Sequence, residues 1–210
     1  MFFFSKSYNA SMFNSILSYD QALLVSARHL VSPDSARIIQ ILGELVVFWW
    51  AFLLVAIWVY GIYKKNIEFK YAALKIFFLI LLVFLVYGII NLGIPQWRPS
   101  PADVVGWIKP LIPHPSDNSF PSGHALFSAG LVVGLWKYLK NWQLIVVTVV
   151  IALVTTVCRV IGGVHYPWDI LWGFVLGGIG AVLLTKVVDQ KVFEKKVFPI
   201  FIKIAGWIKL

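Results

Sequence analysis

Two arginines, two histidines and an aspartate are the residues of this chain best suited to handling a phosphoryl group: Arg98, Arg159, His124, His165 and Asp169. They fall in three short stretches. These are Gln96-Trp97-Arg98-Pro99, then Ser119-Phe120-Pro121-Ser122-Gly123-His124, then Cys158-Arg159 running through His165 to Asp169. A guanidinium at the edge of a bilayer is expensive unless it meets an anion, and its planar fork suits phosphate oxygens. Ser122 and Gly123 stand where the chain enters a helix, so their N–H groups and the Ser122 hydroxyl are expected to point at the anion. A side chain at position 123 would hold the backbone away from it.

Phosphoryl transfer needs a nucleophile in line with phosphorus and an acid for the leaving oxygen. Asp169 lies four residues after His165, across the break at Pro167, and can take a proton from one ring nitrogen. The other nitrogen is then free to attack. His124 is left as the general acid. The arginines and a helix N-terminus offset the developing charge, so neither metal nor cofactor is required. Taken singly, each residue has a plainer explanation: a lone arginine snorkels, a lone histidine spaces a network, and Pro-Ser-Gly makes a turn. Their occurrence together on one face is what favours chemistry.

Residues this polar must be carried by a scaffold that is not. The chain of 210 residues is 60% hydrophobic and only 13% charged, with mean hydropathy +0.85. A soluble domain is about half apolar and a quarter charged, so the solvent here is lipid. Ten Trp and sixteen Phe suit aromatic belts at two interfaces. The net charge of +9 arises from lysines beside apolar runs. It reads as an orientation signal and contact with anionic lipid, not as a nucleic-acid surface. Cys158 alone excludes an internal disulfide and any multi-cysteine metal site. Lys6 follows the opening Met-Phe-Phe-Phe and no Ala-x-Ala-like site comes after, so a removable signal peptide is not expected.

A hydrocarbon core of roughly 30 Å takes about 20 apolar residues in a helix. Residues 38–63, 71–94, 125–139, 142–160 and 170–188 supply such runs, the third by extending back through the polar residues before it. Residues 11–30 mix Asp20 and Arg28 with spaced apolar positions and read as a helix lying in the interface. Residues 198–210 read as a second surface helix. The fold class is therefore all-α: an integral membrane helical bundle of five or six transmembrane helices, one domain over residues 1–210, with an N-terminal interfacial helix.

One set of connections carries Lys64, Lys65, Lys70, Lys137, Lys140, Lys186, Lys191, Lys195 and Lys196, the other Arg98, Lys109 and Arg159. The first should be cytoplasmic and the second, with the chemistry, outside. Two charges within apolar runs remain. Lys75 is expected to snorkel, and Glu44 to pair with Arg37 or line the cavity, with the structural role favoured.

The three stretches resemble the signature of the type 2 phosphatidic acid phosphatase family, K-x6-R-P, P-S-G-H and S-R-x5-H-x3-D, over residues 91–169. The resemblance implies metal-independent catalysis through a phosphohistidine. Arg98, Ser122, Gly123 and Arg159 would bind phosphate, His124 would be the acid, His165 the nucleophile and Asp169 its partner. Two positions depart from the pattern. Asn91 stands for the lysine and Cys158 for the serine. Asn91 can donate a hydrogen bond but brings no charge, which Lys109 could supply from the loop.

Residues 111–120, the chain length and Gly163-Val164-His165-Tyr166-Pro167 are similar to bacterial undecaprenyl-diphosphate phosphatases. That likeness implies hydrolysis of undecaprenyl diphosphate to the monophosphate at the outer face of a bacterial inner membrane. The expected partners are a lipid phosphate or diphosphate and the bilayer. His114 and Asp117 are then candidates for the distal phosphate, with loop stabilisation the equal alternative. Phosphatidylglycerophosphate, phosphatidate and lipid A 1-phosphate are the alternative substrates. A lipid transporter without chemistry is the alternative of another class. Paired interruptions in related halves would mark it, and the sequence has no such repeat.

Overall fold

The computed structural model describes residues 8–94, 96–99, 109–113 and 118–207. The expected contacts from His114 and Asp117 lie outside the described residues. The helices are α1 (Tyr8–His29), α2 (Ala36–Gly43), α3 (Leu45–Tyr63), α4 (Ile67–Gly93), α5 (Gly123–Tyr138), α6 (Trp142–Ile161), α7 (Pro167–Val188) and α8 (Phe198–Trp207). Among the described residues every regular element is helical, apart from an isolated bridge between Trp97 and Asn118. Asn66 and Asn141 start α4 and α6 by accepting from the N–H groups of Glu68 and Leu144. Each such cap contributes about 1 kcal/mol.

Among the described residues four stretches are long and apolar enough to cross a membrane: Pro33–Tyr63, Ile67–Gly93, Trp142–Ile161 and Pro167–Val188. The chain is an integral membrane protein, and these agree with the expected runs to within a few residues. Helix α5, of 16 residues, is shorter, yet it joins the same two ends of the bundle. Gly123 meets Tyr87 near the close of α4, and Tyr138 lies under the Lys75 ammonium near its start. Its flanks are buried against α4, α6 and α7, so it needs less apolar length than a helix facing lipid.

Lipid tails are as apolar as leucine, so close packing, not apolar burial, holds such helices together. The closest approach is between α5 and α7. A Cβ at Gly177 would lie 2.4 Å from the Leu126 carbonyl oxygen, and one at Gly173 2.7 Å from that of Ser122. Only glycine at both positions lets the two backbones touch. Helix α3 is clipped to α6 through Trp49 Nε1, which donates to Thr148 Oγ1 at 2.9 Å. The run 38–63 is not one helix but two, with the break at Glu44 between α2 and α3. Thr155 of α6 accepts the Val46 N–H exposed there, at 3.2 Å. Gly43 gives the break room against Ile112 and the Arg159 side chain.

At the opposite end the Lys75 ammonium reaches two partly exposed carboxylates. It pairs with Glu194 at 2.7 Å and Asp189 at 3.4 Å, tying α4 to the segment that leads into α8. Phe198 buries itself there against Tyr71 and Phe78.

Helix α1 crosses the bundle end where α6 turns into α7. Buried Asp20 accepts the Trp168 N–H at 2.9 Å, while the buried Arg28 guanidinium donates to the Lys109 carbonyl at 3.1 and 3.2 Å. Two anchors at one end suit a helix lying in the interface. Burial pushes the Asp20 carboxyl up from 3.8 to about 6, against the lowering effect of the Trp168 N–H. An acid raised in the folded state stabilises fully below its unfolded value, and that contribution is lost as pH rises through the folded value. Asp20→Asn keeps the acceptor oxygen and removes the charge. It is expected to raise the melting temperature in detergent at pH 7.5 by at least about 2 °C, with little change at pH 4. A lower melting temperature at pH 7.5 overturns that account.

Candidate active site

Four elements meet at the N-terminal end of α5: the α2–α3 break, the segment after α4, the α5 N-terminus and the α6–α7 turn. His124 begins α5 and Arg159 closes α6, while His165 sits in the turn and Asp169 in the first turn of α7. Arg98 reaches in from the segment after α4. A cavity of about 160 Å³ is lined by Arg98, Gly123, His124, Arg159 and His165 together with apolar Val47, Phe84, Tyr87 and Phe127. The two imidazoles and two guanidiniums expected from sequence therefore share one small space.

The proton on His165 is located by its neighbours. Arg98 Nη1 lies 3.2 Å from His165 Nε2 and donates to the Val164 carbonyl at 2.8 Å. A guanidinium can only donate, so Nε2 must accept with its lone pair and the proton resides on Nδ1. On that side Nδ1 is 3.3 Å from Ser119 Oγ and 3.5 Å from Asp169 Oδ2, and the Ser119 hydroxyl donates to Asp169 Oδ2. The relay thus runs from Nδ1–H to serine to carboxylate. Burial, with the charges of Arg98, Arg159 and His124, holds the imidazole well below its ordinary value. A neutral ring with its Nε2 lone pair toward a cationic cavity is competent to attack phosphorus.

Asp169 is fully buried and surrounded by donors. Oδ1 accepts from Gln96 Nε2 at 3.1 Å, and Oδ2 from the Tyr166 N–H at 2.9 Å as well as from Ser119. Its carbonyl accepts the Ser122 N–H at 3.0 Å. That bond corrects one expectation, because the Ser122 N–H joins α5 to α7 and is not offered to an anion. The Ser122 hydroxyl is buried and has no hydrogen-bond partner among the described residues. Gly123 does line the cavity. A Cβ there would press on the Tyr87 ring at 3.3 Å.

Two further candidates stand elsewhere. The Asn91 amide donates to the Phe120 carbonyl at 3.0 Å and its own carbonyl accepts from Asn118. Asn91 therefore braces the loop before α5 and is not part of the cavity lining. Lys109 is exposed, and its carbonyl is taken by Arg28.

Glu44 is the residue whose partners the sequence concealed. Its carboxylate binds Arg159 Nη1 at 2.6 Å and His124 Nε2 at 3.0 Å, not Arg37. Ser119 is the other omission in role, although it stands inside the second stretch. A serine 46 and 50 residues away from the histidine and aspartate it joins carries no distinctive spacing, so no local signal identifies it.

A larger hollow of about 550 Å³ lies toward the lysine-rich end, between Trp49, Phe52, Phe69 and Leu144. None of the candidate histidines and arginines lines it; they gather at the smaller cavity. A drug-sized ligand needs roughly 300 Å³ or more, so the smaller space suits a headgroup whose tail stays in lipid.

This geometry has relatives. The chain is 26% identical over 171 residues to the bacitracin transport permease protein BcrC of Bacillus licheniformis, covering 80% of this chain and 78% of that one. It is 29% identical over 158 residues to the undecaprenyl-diphosphatase BcrC of Bacillus subtilis, covering 72% and 74%. Among solved structures, a PAP2-type phosphatidylglycerolphosphate phosphatase from Bacillus subtilis superposes with a TM-score of 0.66 at 26% identity, covering 85% and 88%. The family model described as the PAP2 superfamily matches residues 72–193, a segment that begins after Glu44 and includes both histidines, both arginines and Asp169. Since that match takes in more than half of the chain, with a solved phosphatase of similar fold beside it, the chain belongs to the PAP2 superfamily and is a membrane lipid phosphatase.

Proposed function

We propose that the protein hydrolyses undecaprenyl diphosphate to undecaprenyl phosphate through a phosphohistidine and without a metal. The observation that carries the chemistry is the single cavity shared by His124, His165, Arg98 and Arg159. In the first step the Nε2 lone pair of His165 forms a bond to the distal phosphorus while the P–O bond to the lipid phosphate breaks. His124 gives its proton to the departing oxygen. Asp169, through Ser119, holds the proton that stays on Nδ1. The guanidiniums of Arg98 and Arg159 and the N-terminus of α5 take the charge gathering on the phosphoryl oxygens. In the second step His124 accepts a proton from water, the water oxygen attacks phosphorus, and the P–N bond breaks to release phosphate and free His165.

The apolar lining of Val47, Phe84, Tyr87 and Phe127 suits the first carbons of a prenyl chain. The likeness to the Bacillus subtilis undecaprenyl-diphosphatase supports the choice of substrate. His114 and Asp117 remain our candidates for the second phosphate. The lysine placement supports a bacterial inner membrane protein with its site on the extracytoplasmic face. The superposition on a phosphatidylglycerolphosphate phosphatase favours phosphatidylglycerophosphate as the second reading.

The test is phosphate release by the detergent-purified protein in EDTA. The panel is undecaprenyl diphosphate, undecaprenyl phosphate, phosphatidylglycerophosphate and phosphatidate. The highest kcat/KM is expected for undecaprenyl diphosphate. Preference for phosphatidylglycerophosphate moves the assignment to the second reading. No release from any lipid overturns the enzymatic role, and loss of activity in EDTA overturns metal independence.

A further inference from the structure

Glu44 stands in a run of apolar residues, in the one-residue break between α2 and α3. A carboxylate inside a membrane span is tolerated when it is paired, and by default it marks function. Its two partners are both walls of the cavity. Oε1 takes Arg159 Nη1 at 2.6 Å and Oε2 meets His124 Nε2 at 3.0 Å. Glu44 is not among the residues lining the cavity, so it holds these side chains from behind. The break itself is built in: Thr155 accepts the Val46 N–H, and Gly43 lets the chain close on Arg159 and Ile112. A carboxylate only accepts, so the bond to His124 requires a proton on Nε2.

We propose that Glu44 is the positioning residue of the general acid. Anchored by Arg159, it fixes the His124 ring with Nε2–H toward α3, leaving Nδ1 as the nitrogen that serves the leaving oxygen. The inference rests on the acid role given to His124 above. Arg159 from α6 and Arg98 after α4 face His124 with positive charge, the neutral ring of His165 and Tyr87 of α4 line the same cavity, and Asp169 of α7 is committed to its own donors. Glu44 is the carboxylate bonded to the ring.

Acid help matters in proportion to how poor the leaving group is, which separates positioning from mere packing. For an alkyl lipid monophosphate, Glu44→Gln should lower kcat by about 100-fold, the lower end of what general acid catalysis contributes, with KM within about threefold. For p-nitrophenyl phosphate, whose leaving oxygen needs little protonation, the same variant should lose less than about tenfold. Glu44→Asp should recover part of the lost kcat. It also serves as the comparison should Glu44→Gln fail to fold, a melting curve deciding which variant is read. Equal losses on both substrates make the residue structural and overturn the proposal. A fall in KM with kcat retained also overturns it, by showing Glu44 to be a competitor for the phosphate site. Were the wild type inactive on every lipid phosphate, the functional reading itself would fail. A normally active Glu44→Gln variant sinks this inference alone.

Discussion

His165→Ala is expected to abolish phosphate release from lipid diphosphates, lowering turnover at least about 10⁴-fold, the scale on which loss of a catalytic nucleophile registers. The ring is 2% exposed, so solvent cannot substitute for it. The other imidazole of the cavity has its Nε2 committed to Glu44. Because burial and the neighbouring cations hold His165 well below the ordinary imidazole value, its lone pair should remain free through mildly acid conditions. The acid limb of the rate profile should then belong to another group. Phosphate release with radiolabelled substrate, read together with acid-labile label retained on the protein, checks the assignment. Turnover of the alanine variant within tenfold of wild type removes His165 as nucleophile. The variant should keep a cooperative melting transition, since the five helices running between the bundle ends are packed elsewhere.

Asp169→Asn should be nearly as damaging, by roughly 10³ to 10⁴-fold, as when the carboxylate partner of a catalytic histidine becomes an amide. Every group facing this carboxylate is a donor: Gln96 Nε2, the Tyr166 N–H, the Ser119 hydroxyl and, through it or directly, His165 Nδ1. An amide replaces one acceptor with a donor, so at least one pair must point hydrogen at hydrogen. The easiest relief is for the serine to turn and for His165 to carry its proton on Nε2, the nitrogen that should attack. The variant should therefore lose kcat with KM little altered, and it should melt lower because a fully buried group is left mispaired. Retention of kcat within tenfold rules out the carboxylate as the holder of the tautomer.

Much of this was readable from residue types. Polar side chains are rare in so apolar a chain, and Arg98, His124, Arg159, His165 and Asp169 stand out because nothing else justifies them near lipid. The helical runs were legible for the same reason, since hydrocarbon thickness fixes their length. Relations between distant elements were hidden. Glu44 meets His124 and Arg159 across 80 and 115 residues, whereas local spacing offered only Arg37. The interruption at Glu44 left no mark because the apolar run on either side is continuous, and helix breaks in lipid need partners from other helices more than breakers in sequence. The residue type at position 91 speaks only of a missing charge. The Asn91 amide in fact closes the loop before α5, a task for which charge is irrelevant. Helix N-termini in general offer their N–H groups to anions, but a neighbouring helix can take one first, as the Asp169 carbonyl of α7 takes the Ser122 N–H.

The backbone contact at Gly173 and Gly177 also decides how the molecule can move. One of the two touching helices begins with the proposed proton donor, and the other, with the turn before it, carries the nucleophile and its carboxylate. The pair behaves as a single stiff frame, with the spacing between its two reactive ends set during assembly. The other parts of the cavity, the α2–α3 break and the segment after α4, are held to this frame and to α6 by side-chain bonds to Thr155, Arg159 and the Val164 carbonyl, so a lipid arriving from the bilayer meets reactive ends whose spacing is already set.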